Sequence, residues 1–254
     1  GSNPSLTAIF FMIKKKLSIS EILKLSFQFL STDLKNKIKD GFSIIMLITI
    51  AFNGLNFLIT TSVATNFTII LFVLFSMFLT SCVGVSIHKE IIIGSKVSFL
   101  SNVFSEKNIK YLINILLVTF VATSPLLLHL IFKIFGKINI LGVNLSYLFL
   151  CWILTCILAL KFIFILPKIA IGKKFSYSMS EMNNIGIKLF VIFIAITIIF
   201  FIPSIFVLSF QLSILKNNSG FYLLIKPIFY FISYLNYVVI FAAISFAYKK
   251  EINN

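Results

Sequence analysis

Six long apolar runs, separated by short lysine-bearing segments, divide the chain. They extend over about Phe42 to Val63, Phe67 to Ile87, Ile109 to Phe132, Leu145 to Leu166, Ile187 to Leu212 and Ile228 to Tyr248. A helix of about 20 apolar residues crosses the roughly 30 Å of hydrocarbon in a bilayer. Each run therefore predicts a transmembrane helix, and the chain as a whole predicts an all-α, polytopic membrane bundle of six.

The segments between the runs carry a different pattern. From Ser18 to Lys39, the apolar residues Ile19, Ile22, Leu23, Leu30, Leu34 and Ile38 recur near the helical period, which predicts an amphipathic helix. Ser18 and Glu21 have the spacing of a capping box, each side chain able to satisfy a free amide of the other. A second stripe, Val97, Leu100, Val103 and Phe104, lies between Lys96 and Asn108. A third, Phe175, Met179 and Met182, lies between Lys174 and Gly186, with a second capping-box spacing at Ser178 and Glu181. Amphipathic segments edged with lysine beside a span belong in the cytoplasmic headgroup layer.

Composition supports lipid as part of the solvent. Apolar residues make up 59% of the chain and charged ones only 11%, too little polar surface for a body in water. The formal net charge is +15, and all 22 basic residues are lysine. Seventeen of them fall on one side of the expected membrane, in the N-terminal segment, around Lys89 to Lys110, around Lys168 to Lys188, and at Lys249 and Lys250. Only Lys133, Lys137, Lys216 and Lys226 fall on the other. That bias places both termini in the cytoplasm. Lysines flanking apolar spans call for anionic lipid headgroups, so nucleic acid is not the expected partner. Gly1-Ser2 reads as a tag remnant ahead of a start at Met12. Residues 1–12 are thus expected outside the fold, and 13–254 as a single six-span domain. The apolar patch from Ile9 to Met12 precedes its lysines, the reverse of a secretory signal.

A shift of 78 residues superposes parts of the chain on themselves. It sets Ile91, Ile93, Gly94, Lys96 and Ser98 on Ile169, Ile171, Gly172, Lys174 and Ser176. It also sets Ile109 and Lys110 on Ile187 and Lys188, Thr119 on Thr197, Pro125 on Pro203, and Leu130 on Leu208. The repeating unit is an amphipathic helix followed by two spans. Successive copies return to the same side, which makes them parallel repeats about the membrane normal. A first copy around Ser20 keeps the amphipathic character but little identity.

Candidate chemistry is sparse. Cys82, Cys151 and Cys156 fall inside apolar runs with no CxxC or Cys/His cluster, so neither a metal site nor a disulfide framework is expected. His88 and His129 each lack a carboxylate or cysteine in ligand spacing and read as structural. All seven carboxylates lie outside the spans, whereas proton- or sodium-coupled carriers commonly hold one at depth. Lys161 is the one charge within a span, close enough to the Pro167 exit for its ammonium to reach the interface. With Lys96, Lys110, Lys174 and Lys188 it forms the candidate set for anionic-lipid contact. Pro125 and Pro203 interrupt the third and fifth spans as a kink or hinge, and Thr123, Ser124 or Ser204 can serve the carbonyls they free. Asn53, Asn56, Asn114 and Asn236 are candidates for hydrogen bonds between helices.

One segment matches a known pattern. In FIFILPKIAIGKKFSYSMSEMNNIGIKLFVIFI, which ends at Ile194, a span closes in Leu-Pro, a short turn follows, and an amphipathic serine-containing helix leads into the next span. With the IGSKVSFL run from Ile93 to Leu100, it resembles the YciC-type bacterial inner-membrane proteins. It is also similar to the related membrane domain found beside some glycerophosphodiester phosphodiesterases. The resemblance covers most of the chain from Met12 onward, and implies a bacterial inner-membrane location but no functional residues. The phosphodiesterase domain has no counterpart here. The expected function is therefore that of a non-catalytic inner-membrane protein, without cofactor or metal, contacting anionic lipid or a membrane partner in envelope homeostasis. The alternative is the permease subunit of an ATP-driven exporter, with an ATPase as partner.

Overall fold

The computed structural model describes residues 18–60, 65–96, 98–99, 103–135, 144–173, 186–215 and 219–252. Among them all regular secondary structure is helical, in eight helices: α1 (Ile19–Ser31), α2 (Leu34–Thr60), α3 (Thr65–Ile93), α4 (Glu106–Phe135), α5 (Asn144–Phe162), α6 (Ile165–Ala170), α7 (Gly186–Leu215) and α8 (Ser219–Ile252). Each of the six apolar runs begins in a separate long helix, from the 19 residues of α5 to the 34 of α8. The fourth run ends early, because α5 stops at Phe162 and the short α6 carries Leu166 and Pro167 onward. Among the described residues three helices are long and apolar enough to cross a membrane, over Ile70–Ile93, Lys188–Val207 and Pro227–Lys250.

The helix α8 is the hub. It packs against α7, α3, α1, α2 and α6, while α4 packs against α5, α3 and α6. Every residue from Ser81 to His88 on α3, and from Phe241 to Lys250 on α8, is buried. A helix buried all round needs residues that are apolar, small or hydrogen-bonded, and Ser81, Gly84, Ala242, Ala243, Ser245 and Ala247 let these two approach. By contrast α7 buries the stripe Leu189, Ile192 and Ile196 and leaves Ile198, Phe201, Ile202 and Phe206 outward. Such a face suits acyl chains rather than water.

The expected amphipathic segments need two corrections. The first helix carries its capping box, Ser18 accepting from the Glu21 amide and Glu21 accepting from the Ser18 amide at 2.5 Å. It ends at Ser31, however, not Lys39. Asp33 takes φ 60°, a left-handed conformation that breaks the helix. Leu34 and Ile38 therefore belong to α2. The apolar face of α1 does not face headgroups: Ile22, Leu25 and Phe29 are buried in the core. Phe29 meets Phe246 edge-on, and Phe27 stacks on Phe200. The second amphipathic helix is absent among the described residues of its segment. Gly94 ends α3 with φ 83°, and residues 98–99 and 103–105 form turns and irregular backbone. Phe99 turns into the core while Phe104 is 90% exposed. The third segment falls outside the described residues apart from Gly186, and residues 1–12 fall outside them altogether.

Candidate functional site

The helix ends that carry most lysines meet at one end of the bundle, where a lattice of buried polar groups joins them. It begins at the break between α1 and α2. Lys37 lies on the first turn of α2, and its buried ammonium donates to the Phe29 carbonyl at 2.6 Å and to that of Thr32. The same ammonium sits 4.0 Å above the Phe29 ring. These carbonyls end α1 without intrahelical partners, so a cation is well placed there. Burial pushes the Lys37 pKa down, opposed by the field of Glu90. One turn on, Gly41 leaves room for the Tyr234 ring, which a Cβ would strike. The Tyr234 hydroxyl donates to the Lys37 carbonyl at 2.9 Å and so ties α8 to α2.

Asp33 accepts from Lys96 at 3.0 Å and from the Asn36 amide at 2.7 Å. The Lys96 ammonium holds the Asp33 carboxyl below the usual carboxylate range, and Asp33 raises Lys96 in return. Lys249 donates to the Ile91 carbonyl at 2.8 Å, joining the ends of α8 and α3.

Beneath this rim lies the polar centre of the bundle. His88 on α3 is fully buried, with Nδ1 2.6 Å from Ser245 Oγ on α8 and Nε2 2.8 Å from the Tyr111 hydroxyl on α4. The hydrogen positions follow from the partners. Ser245 donates its one proton to the Phe241 carbonyl at 2.7 Å, so it accepts from Nδ1–H, and Nε2 accepts from Tyr111. A serine beside a histidine is the arrangement of an activated nucleophile. Here Nδ1 carries the proton and Ser245 is enclosed, so the group acts as a pin through three helices. A second pin lies beside it. Ser81 donates to Asn108 Oδ1 at 2.6 Å, and the Asn108 amide donates to the Val103 carbonyl and to Cys82 Sγ, both at 3.1 Å.

The lysines singled out from sequence are not gathered into one site. Lys96 is bound to Asp33, and Lys110 is paired with Glu106 at 2.5 Å on the exposed side of α4. Lys188 is half-buried on the first turn of α7. The side chain of Lys161 and all of Lys174 lie outside the described residues, as does the side chain of His129. Pro125 interrupts α4, and the Val121 carbonyl it frees accepts from Ser124 at 2.7 Å. Pro203 interrupts α7, but Ser204 bonds the Phe200 carbonyl at 2.8 Å, not that of Ile199, which the proline frees. Asn114 turns back to the Lys110 carbonyl of its own helix. Asn236 Oδ1 is buried without a partner.

Tyr111, Ser245 and Asn108 drew no attention in the sequence. Their signal was the small and polar face of α3, where Ser81, Gly84 and His88 recur at helical spacing.

No protein-family model matches the chain, and no curated protein or solved structure matches it either.

Proposed function

We propose that the chain is a six-span bacterial inner-membrane protein with its lysine-rich end and both termini in the cytoplasm, and that it holds anionic lipid there without catalysing a reaction. The observation that carries this reading is the division of the bundle. Exposed Lys35, Lys39 and Lys107 lie within two turns of the starts of α2 and α4, Lys173 lies just past α6 and Lys24 lies on α1, whereas α4 and α7 turn bare apolar faces outward. A lysine-rich rim above apolar walls matches the negative surface of a cytoplasmic leaflet above its acyl chains. The buried lattice supports a static role, since its polar groups tie helices together. The likeness to the YciC-type proteins supports the location.

The repeat belongs to the same proposal. Gly94 and Gly172, which the 78-residue shift pairs, take φ 83° and 79° at the ends of α3 and α6. Pro125 and Pro203 interrupt the helices that follow. Left-handed glycine closing a helix is common, but its recurrence at the paired position supports one unit used twice.

Native mass spectrometry of the protein, drawn from its own membrane into mild detergent, tests the reading. Retained phosphatidylglycerol or cardiolipin in preference to neutral lipid is the expected result. A stoichiometric ATPase would overturn it in favour of an exporter permease, and indifference to lipid charge would overturn it outright.

A further inference from the structure

The middle of the hub helix carries one residue that packing alone does not explain. From Tyr234 to Lys250 on α8 every side chain is buried or half-buried except Tyr237, which is 44% exposed. Tyr234, one turn before it, is buried and bonded to the Lys37 carbonyl. Tyr237 stacks its ring on Phe241, with centroids 6.4 Å and planes 26° apart. Its hydroxyl has no hydrogen-bond partner among the described residues. The same side chain lines two cavities. One, of about 240 Å³, lies among α2, α3 and α8; the other, of about 410 Å³, lies among α3, α4, α5, α6 and α8. Thr80 on α3 is the other residue that lines both.

Among the described residues neither cavity is lined by a charged side chain. Thr80 donates its hydroxyl proton to the Ser76 carbonyl at 2.8 Å, so its oxygen is left to accept. The Tyr237 phenol, without a partner, is left to donate. A donor and an acceptor therefore stand in the wall that the two cavities share. Both residues fall near the middle of stretches long and apolar enough to cross a membrane, Ile70–Ile93 and Pro227–Lys250. A charged headgroup at that depth would lose its water with nothing to balance it. One uncharged hydroxyl, by contrast, can accept from Tyr237 and donate to Thr80 together. The larger cavity suits the apolar remainder of such a molecule. Met77, Ile115, Val118 and Ile240, all half-buried, contribute to its wall, and its volume falls within the roughly 300–1,000 Å³ of small-molecule sites.

We propose that α3 and α8 bind a neutral lipid alcohol, such as a diacylglycerol, at mid-span. Its hydroxyl accepts from Tyr237 and donates to Thr80, and part of an acyl chain fills the larger cavity. The site gives the Tyr237 phenol the partner that no described residue supplies. It is separate from the lysine-rich end and does not depend on anionic lipid being held there.

The test is native mass spectrometry of the full chain in detergent, titrated with a diacylglycerol, with the propanediol diester that lacks its hydroxyl, and with phosphatidylglycerol. Tyr237→Phe removes only an unpaired hydroxyl, so its Tm is expected to stay that of the wild type. It is expected to weaken diacylglycerol binding about threefold to tenfold and to leave binding of the deoxy diester unchanged. Ala159→Phe, which fills the larger cavity from α5, is expected to weaken both. Phosphatidylglycerol retention is expected to be the same in all three proteins. Wild-type protein that binds the diacylglycerol no better than the deoxy diester would overturn the proposal. So would a Tyr237→Phe protein that discriminates between the two as well as wild type does. Unchanged binding by Ala159→Phe would place the lipid elsewhere and overturn the site. Loss of phosphatidylglycerol in step with diacylglycerol in Tyr237→Phe would mark a general effect and overturn it as well.

Discussion

Gly84→Ala sets two physical effects against each other at the polar centre. Alanine is the better helix former by about 1 kcal/mol, so propensity alone makes the change stabilising. The structure opposes it. A Cβ at Gly84 would stand 2.5 Å from the Tyr111 hydroxyl, 2.9 Å from Cζ and 3.0 Å from Cε1. Tyr111 is fully buried, so its ring must shift against packed neighbours. Overpacking of this kind costs about 1–3 kcal/mol. The shift also stretches the 2.8 Å bond to His88 Nε2, and a buried acceptor left without its donor costs about 1–3 kcal/mol. The net expectation is a loss of about 2 kcal/mol, read from reversible SDS unfolding followed by circular dichroism, or as a fall in Tm of about 4–8 °C. Tyr111→Phe removes the atom in closest conflict and the same hydrogen bond, so the double variant is expected to lose about 1 kcal/mol less than the two single losses together. A Gly84→Ala protein as stable as wild type, or more so, would refute the reasoning and the tight approach of α3 to α4 with it.

Other expectations follow from the rim. Asp33→Gly suits φ 60° and loses the exposed bonds to Lys96 and Asn36. Asp33→Val adds a left-handed β-branched residue and should be less stable than Asp33→Gly by about 1–2 kcal/mol in the same unfolding assay. The lowered Asp33 pKa gives a contribution that is full above the unfolded value of about 3.9. It fades as pH falls through the lower folded value, so the stability difference between wild type and Asp33→Asn should shrink as pH falls below about 4. Gly94→Ala and Gly172→Ala should each cost about 1–2 kcal/mol by backbone conformation; a neutral result at either would remove the left-handed turn there. Ser26 is fully buried on the docked face of α1. A Ser26→Cys thiol should therefore resist maleimide until Leu25→Asp, in the same chain, expels the helix, whereas ready labelling without Leu25→Asp would contradict docking.

The helices were legible because apolar runs of about 20 residues admit few other structures, and the cap of α1 because Ser18 and Glu21 share a local motif. The break at Asp33 was not legible: no glycine or proline marks it, and Leu34 and Ile38 continue the stripe of α1 across it. The segment after Gly94 misled for the opposite reason. Its apolar spacing suits a helix, but Ser105 accepts from the Asn108 amide and the Asn108 side chain holds the Val103 carbonyl, which fixes a turn before α4. The centre of the site was hidden by distance along the chain. His88 meets a serine 157 residues away, and nothing near His88 names Ser245, one of several serines on apolar helices. The lysines were read by position alone, so the structure divides them by what each touches.

The docking of α1 against α7 and α8 reverses the order in which the chain is made. Of the described helices the first has its berth formed by the last two, so its apolar face must wait until α7 and α8 have been made. During that interval Ile22, Leu25 and Phe29 have only the membrane surface to rest on, where an amphipathic helix is at home. Its later burial is then a late step of assembly, a contact between helices far apart in sequence and slow for that reason. Quality control acting on the nascent protein would meet α1 exposed whenever α8 failed to insert.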